Sequence, residues 1–127
     1  MDDATTRHGI SLIEADVLRW NPARRYGVWH DRATFHFLVA NGDRSTYTRK
    51  LEATLAPGGY AILATFAPDA PPTCSGMPVV RYSAEDLVAI LRPSFEVLVT
   101  RREEHQTPRG AVQPFTWVAA RMNRGGQ

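Results

Sequence analysis

The chain has 127 residues, of which 43% are hydrophobic and 22% are charged. This size and composition are typical of one globular domain with a buried core, and they exclude a disordered chain. No stretch reaches the roughly 20 consecutive apolar residues of a membrane span, so we expect no membrane partner. The acidic start Met1-Asp2-Asp3 lacks the apolar segment of a secretory signal. The single Cys74 cannot form an internal disulfide, and both features favour the cytoplasm.

The charge pattern argues against nucleic acid as a partner. The net charge is only +2 although the pI is about 9.0. The basic residues are almost all arginines, with Lys50 as the sole lysine, and they are scattered along the chain. A nucleic-acid-binding protein concentrates them on one face.

The N-terminal region predicts one strand. Residues Met1 to Gly9 carry no pattern and are predicted to be a tail. Ile10 to Val17 alternates well enough to be a strand, with Asp16 at its exit. A carboxylate there is placed to accept hydrogen bonds from a ligand. The competing interpretation is a solvated loop aspartate or a helix cap.

The next stretch combines a strand with ionisable residues. Tyr26 to Trp29 predicts a strand, and it runs directly into His30-Asp31-Arg32. Such charges beside aromatic residues are costly to bury unless they pair or meet a ligand. The alternative is a surface ion pair of Asp31 with Arg32 or His30. His36, between two phenylalanines, favours a half-buried histidine whose hydrogen bonds are satisfied.

The centre of the chain predicts a helix, a stop and a buried strand. Asp43 to Leu55 predicts a helix capped by Asp43, with one apolar face, formed by Tyr47, Leu51 and Leu55. Pro57-Gly58-Gly59 ends it, and the apolar run Tyr60 to Phe66 predicts a strand buried on both faces. The long loop from Ala67 to Pro78 follows, in a position where α/β sheets bind ligands, and we expect it to cover the site. Its Cys74 is expected to be an unreactive thiol.

The C-terminal part predicts a helix and two strands. Ser83 begins a helix with a capping box, and Pro93 marks its end. Ser94 to Thr100 predicts a strand with Phe95, Val97 and Val99 on one face, and Arg101 to Gly110 predicts a turn. Val112 to Ala120 predicts the last strand, with Phe115, Trp117 and Ala119 on one face. Without a helix between them, these two strands must be antiparallel neighbours. Arg121 to Gln127 is predicted to be a tail.

Three motifs resemble one known family. Glu14-Ala15-Asp16-Val17 is similar to the motif at the third strand of class I S-adenosylmethionine-dependent methyltransferases. The run from Val28 to Leu38 resembles the Trp-His-Asp-Arg-Ala-x-Phe-His-Phe motif of a bacterial subgroup, and Leu55 to Gly59 resembles the entry into the fifth strand. The resemblance extends from about Leu12 to Ala120. It implies an α/β fold, a Rossmann-like and mainly parallel sheet with a C-terminal antiparallel β-hairpin, in one domain over residues 1–127.

The resemblance also implies a cofactor and site residues. It implies S-adenosylmethionine, bound by Asp16, Val17, Asp31 and Arg32. Asp31 or His30 is expected to be the catalytic base, and Arg32, His36 and Phe66 are expected to contact the methyl acceptor, a small molecule or a protein side chain. No metal is implied. Catalysis in this family is largely the in-line positioning of an activated methyl group.

The chain departs from the family in two places. The first strand and its glycine-rich loop have no counterpart before Ile10, and Gly27 stands where the subgroup usually has an acidic residue. We therefore expect an N-terminally truncated methyltransferase domain that binds the cofactor weakly or not at all. The alternative is a non-catalytic domain for interaction or dimerisation. We expect the exposed edge of the Tyr26–Trp29 strand to recruit a partner chain, either a second copy in a homodimer or a separately encoded first half. The alternative is that Ile10 to Val17 folds back and pairs locally with this strand.

Overall fold

The computed structural model describes residues 3–7 and 9–124, with side chains described for residues 9–124. Two α-helices, one short 3₁₀ helix (Phe35–Phe37) and eight strands are assigned in this part of the chain. They are β1 (Asp3–Arg7), β2 (Ile10–Glu14), β3 (Tyr26–Arg32), α1 (Asn41–Thr54), β4 (Leu55–Phe66), β5 (Thr73–Cys74), β6 (Met77–Pro78), α2 (Ala84–Leu91), β7 (Phe95–Gln106) and β8 (Val112–Met122). Among the described residues, no helix is long and apolar enough to cross a membrane.

The main sheet has four strands in the order β3-β4-β8-β7. The predicted strand Tyr60–Phe66 lies inside the sheet as part of β4, and β7 pairs with β8 antiparallel at one end, as predicted. Three of the four strands, β3, β4 and β7, run in the same direction, because β4 and β7 both pair antiparallel with β8. The only parallel neighbours among the described strands are β3 and β4, and β8 inserts between β4 and β7 in the opposite direction.

The N-terminal region forms a separate hairpin. Residues Asp3 to Arg7, predicted to be a tail, form β1 and pair antiparallel with β2. The strand predicted over Ile10–Val17 ends at Glu14 and does not join the main sheet. Met1, Asp2 and His8 lie outside the described residues. Gly9 adopts a φ of +80° between the two strands, a conformation that glycine tolerates without steric cost.

The helix before β4 begins two residues earlier than predicted. Its N-cap is Ala40, and Asp43 lies in the first turn without capping it, so the predicted cap is wrong. The predicted apolar face is confirmed, since Tyr47, Leu51 and Leu55 are fully buried. The helix ends at Thr54, ahead of the Pro-Gly-Gly stop, and Gly58 has the expected positive φ of +79°.

The C-terminal elements confirm two predictions and correct two. Ser83 and Asp86 form the predicted capping box of α2. Strand β7 continues to Gln106, so residues Arg101 to Gln106 are strand rather than turn. An irregularity between Val97 and Val99 breaks the alternation, which places Val99 on the opposite face from Val97. The predicted alternation in β8 is confirmed.

The two faces of the main sheet differ. Both helices pack on one face, where their leucines form a single core with Leu63, Val118 and Ala120. We call the other side the open face. The pairing register places these side chains on it: Val28, His30, Arg32, Tyr60, Ile62, Ala64, Val99, Arg101, Glu103, Phe115, Trp117, Ala119 and Arg121. Within the described residues, Ala70, Cys74 and Val79 cover the part of this face at the carboxyl end of β4, where they pack against Ala64, Phe66 and Phe115.

Candidate functional site

A cleft of about 490 Å³ lies at the carboxyl end of β3. In α/β sheets this is the usual position of a ligand site. The cleft brings together four residues that the sequence predicts for a site: Val17, His30, Asp31 and Arg32. Its other lining residues are Ala15, Trp29, Thr34 and Tyr47.

Asp31 is buried, and both oxygens of its carboxylate accept hydrogen bonds. One oxygen accepts from the backbone N–H of Thr34 at 2.9 Å. The other accepts from the N–H of Phe35 at 3.1 Å and from the hydroxyl of Tyr47. Residue Ala33, with a φ of +69°, turns the chain so that these amides face back toward the carboxylate. Asp31 therefore fixes the wall of the cleft.

Tyr47 connects Asp31 to the edge strand. Its hydroxyl donates to Asp31 and accepts from the indole N–H of Trp29 at 2.9 Å. Burial raises the pKa of Tyr47, and the neighbouring carboxylate raises it further because a phenolate there would face a like charge. The phenol therefore stays protonated as a hydrogen-bond donor.

His30 and Arg32 lie on the open face, opposite to Asp31, because successive residues of a strand alternate. The ring of His30 stacks on Trp117 with their centroids 6.0 Å apart. The guanidinium of Arg32 lies 4.4 Å from the centre of the Phe115 ring and 3.6 Å from the carboxylate of Glu103. Consequently His30 and Asp31 do not form a joint acid–base pair.

The sequence did not predict the partners of His30 and Arg32. Glu103 lies in a segment that was predicted to be a turn. In the structure its carboxylate also accepts a hydrogen bond from the indole N–H of Trp117 at 2.9 Å. Phe115 and Trp117 were predicted only as strand residues. The alternation in β8 was the available signal, but the neighbouring strand that supplies Glu103 could not be identified from spacing.

His36 and Phe66 lie together but outside the cleft. The backbone N–H of Phe66 donates to Nδ1 of His36 at 2.9 Å, and the two rings meet edge to face. His36 is fully buried rather than half-buried, and its Nε2 has no hydrogen-bond partner among the described residues, so the prediction of satisfied hydrogen bonds is wrong for that atom. Burial lowers its pKa to about 4, against a smaller opposing effect of Asp31. The histidine is therefore neutral near pH 7.

Asp16 lies in the turn after β2 and does not line the cleft. Its carboxylate accepts from the backbone N–H of Leu18 at 2.9 Å and lies 4.0 Å from the guanidinium of Arg19. It caps the turn that places Val17 beside the cleft.

No protein-family model matches the sequence, and no curated protein sequence matches it. Solved structures match its fold. A SAM-dependent methyltransferase from Methanosarcina mazei matches with a TM-score of 0.70 and 13% identity, over 87% of this chain and 66% of that one. The N-methyltransferase NodS from Bradyrhizobium japonicum, bound to S-adenosyl-L-homocysteine, matches with a TM-score of 0.64 and 17% identity. This match covers 85% of this chain and 52% of that one. The 1,6-didemethyltoxoflavin-N1-methyltransferase from Burkholderia thailandensis matches with a TM-score of 0.68 and 18% identity. This match covers 86% of this chain and 49% of that one.

These likenesses establish the fold, which is the α/β fold of class I methyltransferases. The chain spans 49–66% of the length of these three structures.

The lining of the cleft has an apolar side and a polar rim. Ala15, Val17 and Trp29 supply an apolar wall suited to a flat purine, and Thr34 supplies a polar rim. No glycine is among the residues that line it in the described part of the chain, so the close backbone approach expected around the methionine end is not formed there. Within the same described residues, no group of three or more His, Cys, Asp or Glu side chains is placed to hold a metal ion.

Proposed function

We propose that this chain carries the adenosine-binding and acceptor-binding side of an S-adenosylmethionine-dependent methyltransferase. The observation that carries the proposal is the cleft at the carboxyl end of β3, which gathers Val17, His30, Asp31 and Arg32 on a fold shared with such enzymes. The cofactor, when bound, supplies a methyl group activated by its sulfonium. The protein then contributes mainly position and orientation.

The roles of the site residues follow from their contacts. Val17 contacts the adenine, with Asp16 holding the turn that presents it. Asp31 is a positioning residue rather than the catalytic base, because both its oxygens are occupied by hydrogen bonds. His30 is the base for an acceptor that must lose a proton, since the residue borders the cleft and its ring is exposed on the open face.

Arg32 and the aromatic residues beside it select the acceptor. Arg32 already pairs with Glu103 and stacks on Phe115, so an anionic acceptor would have to replace the carboxylate. A flat, neutral ring that stacks on the exposed ring of His30, beside Trp117, avoids that exchange. We therefore propose a small heteroaromatic acceptor, which agrees with the toxoflavin precursor named for one matching structure. His36 and Phe66 support the segment above this surface.

The test of this proposal is a titration of the chain with adenosine, methionine and S-adenosylmethionine, followed residue by residue by NMR. We expect shifts at Val17 and Thr34 with adenosine and the full cofactor, and none with methionine. The expected dissociation constant is about 0.1–1 mM, or roughly −4 to −5.5 kcal/mol. Val17→Asp should abolish the shifts, while Val39→Asp, an exposed residue away from the cleft, should leave them unchanged.

Two results would contradict the proposal. One is a cofactor that causes no shift at millimolar concentration, which would leave the cleft without an adenosine site. The other is micromolar affinity, because about −8 kcal/mol would then come from a cleft that fits half of the molecule. The comparisons do not favour the alternative of a non-catalytic interaction domain.

A further inference from the structure

Arginines that are far apart in the sequence meet at one end of the main sheet. Strands β3, β4 and β7 begin at this end, and β8, which is antiparallel to β4 and β7, finishes there. We call it the amino end, and it lies opposite the cleft at the carboxyl end of β3. At or next to these strand ends lie Arg24, Arg25, Arg92, Arg121 and Arg124. The fold therefore concentrates positive charge that the sequence spreads along the chain.

Two of these arginines are engaged by their own surroundings. Arg25 donates from Nη1 to the carbonyl oxygen of Leu55 at 3.1 Å, directly after the end of α1. The guanidinium of Arg24 lies over the ring of Tyr26, 4.8 Å from its centre. These contacts account for the positions of Arg24 and Arg25 without any ligand.

Two others converge on Gly58, near the start of β4, where φ is +79°. A Cβ added to Gly58 would lie 3.5 Å from Nη2 of Arg121 and 3.7 Å from Nη2 of Arg124. The distance between the two nitrogens cannot exceed the sum of these values, and no side chain of residue 58 fills the space between them. We call this arrangement of Arg121, Arg124 and Gly58 the arginine cradle. Both arginines also line a hollow of about 250 Å³, together with Glu96 and Asn123.

The arginine cradle holds two positive charges that no carboxylate neutralises. Arg121 donates from Nε to the carbonyl oxygen of Gly58 at 3.3 Å, which leaves both of its Nη groups for a ligand. Arg124 makes no hydrogen bond with the described residues. Within this part of the chain, neither guanidinium forms an ion pair with an acidic side chain. Two like charges this close repel each other, and an anion between them removes the repulsion.

We propose that the arginine cradle binds the phosphate group of a small phosphorylated ligand. A guanidinium group presents its N–H donors as a planar fork, and two forks from different directions suit a tetrahedral group with three terminal oxygens. A phosphate monoester carries a charge of about −1.5 to −2 at pH 7, which matches the two cations. A carboxylate carries a single charge and is satisfied by one fork. Gly58 contributes through its missing side chain, which lets one oxygen approach both Nη2 atoms.

The surroundings of the cradle fit a small ligand. At about 250 Å³ the hollow is below the roughly 300–1,000 Å³ of pockets that hold drug-sized molecules. The ring of Tyr60 is 42% exposed and lies 5.9 Å from Cζ of Arg121, so it offers an apolar surface to the rest of the ligand. Glu96 is the register partner of Arg121 and lines the hollow, so its carboxylate opposes an anion there. This site does not depend on the proposed function, because it lies at the other end of the sheet from the cleft.

The first test titrates the full chain with inorganic phosphate at constant ionic strength and follows the backbone amides of Gly58 and Gly59 by NMR. We expect shifts that saturate. Arg121→Gln and Arg124→Gln should each weaken binding about tenfold, because each removes charge-assisted hydrogen bonds. The matched control is Arg92→Gln, which removes the same charge from an exposed arginine that does not line the hollow. It should change the affinity less than about twofold, since salt screens charges outside the site.

Two further measurements distinguish the cradle from a generally basic surface. Glu96→Gln should strengthen phosphate binding several-fold, because it removes a negative charge from the lining of the hollow. O-phosphoserine should bind more weakly at about pH 5 than at about pH 7.5, because its second pKa is about 6 and its phosphate loses charge in acid. Sulfate, which keeps its charge over this range, should bind equally at both pH values. Circular dichroism verifies that each variant remains folded.

Three results would overturn the proposal. The first is the absence of any shift at Gly58 with millimolar phosphate. The second is an equal loss of affinity in Arg92→Gln and Arg124→Gln, which would show a diffuse positive surface instead of a cradle. The third is tighter binding of a single-stranded oligothymidylate than of phosphate at equal phosphate concentration, which would assign the amino end to nucleic acid rather than to a small ligand.

Discussion

The backbone N–H of Phe66 donates a hydrogen bond to Nδ1 of His36 at 2.9 Å. Because Nδ1 accepts, the single ring proton of the neutral histidine must lie on Nε2. The contact joins the end of β4 to the short turn after β3, two segments separated by thirty residues. Protonation of His36 would put a second proton on Nδ1, where it would oppose the Phe66 amide.

The stability of the fold should therefore decrease in mild acid. The pKa of His36 falls from 6.5 in a model peptide to about 4 in the fold. Between these pH values the unfolded chain binds more protons than the folded chain. The contribution of neutral His36 to the free energy of unfolding is therefore complete above pH 6.5 and is lost as the pH falls to 4. The loss amounts to about 3 kcal/mol. Urea unfolding at several pH values should show it.

The comparison for this prediction is His36→Phe against His105→Gln. His36→Phe should be less stable at pH 7, because the Phe66 amide loses its acceptor. It should nevertheless lose about 3 kcal/mol less than the wild type between pH 6.5 and 4. In His105→Gln the free energy of unfolding should change with pH as it does in the wild type. Equal slopes in all three proteins would show that His36 does not control the acid response.

Asp31→Asn should destabilise the protein by about 2–4 kcal/mol. The amide nitrogen cannot accept the hydrogen bonds that a carboxylate oxygen takes from the backbone and from Tyr47. Asp43→Asn, an exposed change in the first turn of α1, should stay within about 0.5 kcal/mol of the wild type. Chemical denaturation measures both. A stable Asp31→Asn protein would remove the basis for assigning Asp31 a positioning role.

Gly59→Ala should cost about 1–3 kcal/mol. A Cβ at this position would lie 2.9 Å from the carbonyl oxygen of Ala56 and 3.0 Å from that of Gly27, and both are backbone atoms. The matched change is Gly42→Ala in α1, where a Cβ meets nothing within 4 Å. There we expect a gain of about 0.5–1 kcal/mol, since alanine favours the helix. Thermal unfolding should move the two variants in opposite directions.

Ser83→Ala should destabilise the protein by about 1 kcal/mol. Its hydroxyl accepts from the backbone N–H of Asp86 at 3.1 Å, and the Asp86 carboxylate accepts from the N–H of Ser83 at 2.9 Å. Ser45→Ala, at an exposed position inside α1, is the control and should change stability little. Equal effects of the two substitutions would indicate that the capping box adds nothing to stability.

Local sequence patterns were sufficient to predict several helices and strands of this protein. The apolar spacing of Tyr47, Leu51 and Leu55 predicted the buried face of α1, because a helix places every fourth residue on one side. The Ser83 capping box and the uncharged run from Tyr60 to Phe66 predicted their elements for similarly local reasons. The order of helices and strands, with the three motifs, predicted the α/β fold.

Only the tertiary structure decided which strands pair and which groups meet. The sequence of Ile10–Glu14 suits a strand in either sheet, and its pairing with residues 3–7 depends on contacts that a local pattern does not contain. The same holds for the site. His30 and Asp31 are adjacent in sequence but face opposite sides of β3, whereas Arg32 and Glu103 meet across a distance of 71 positions. Alternation along a strand and pairing between strands separate neighbours and join distant residues, so the site exists only in the folded sheet.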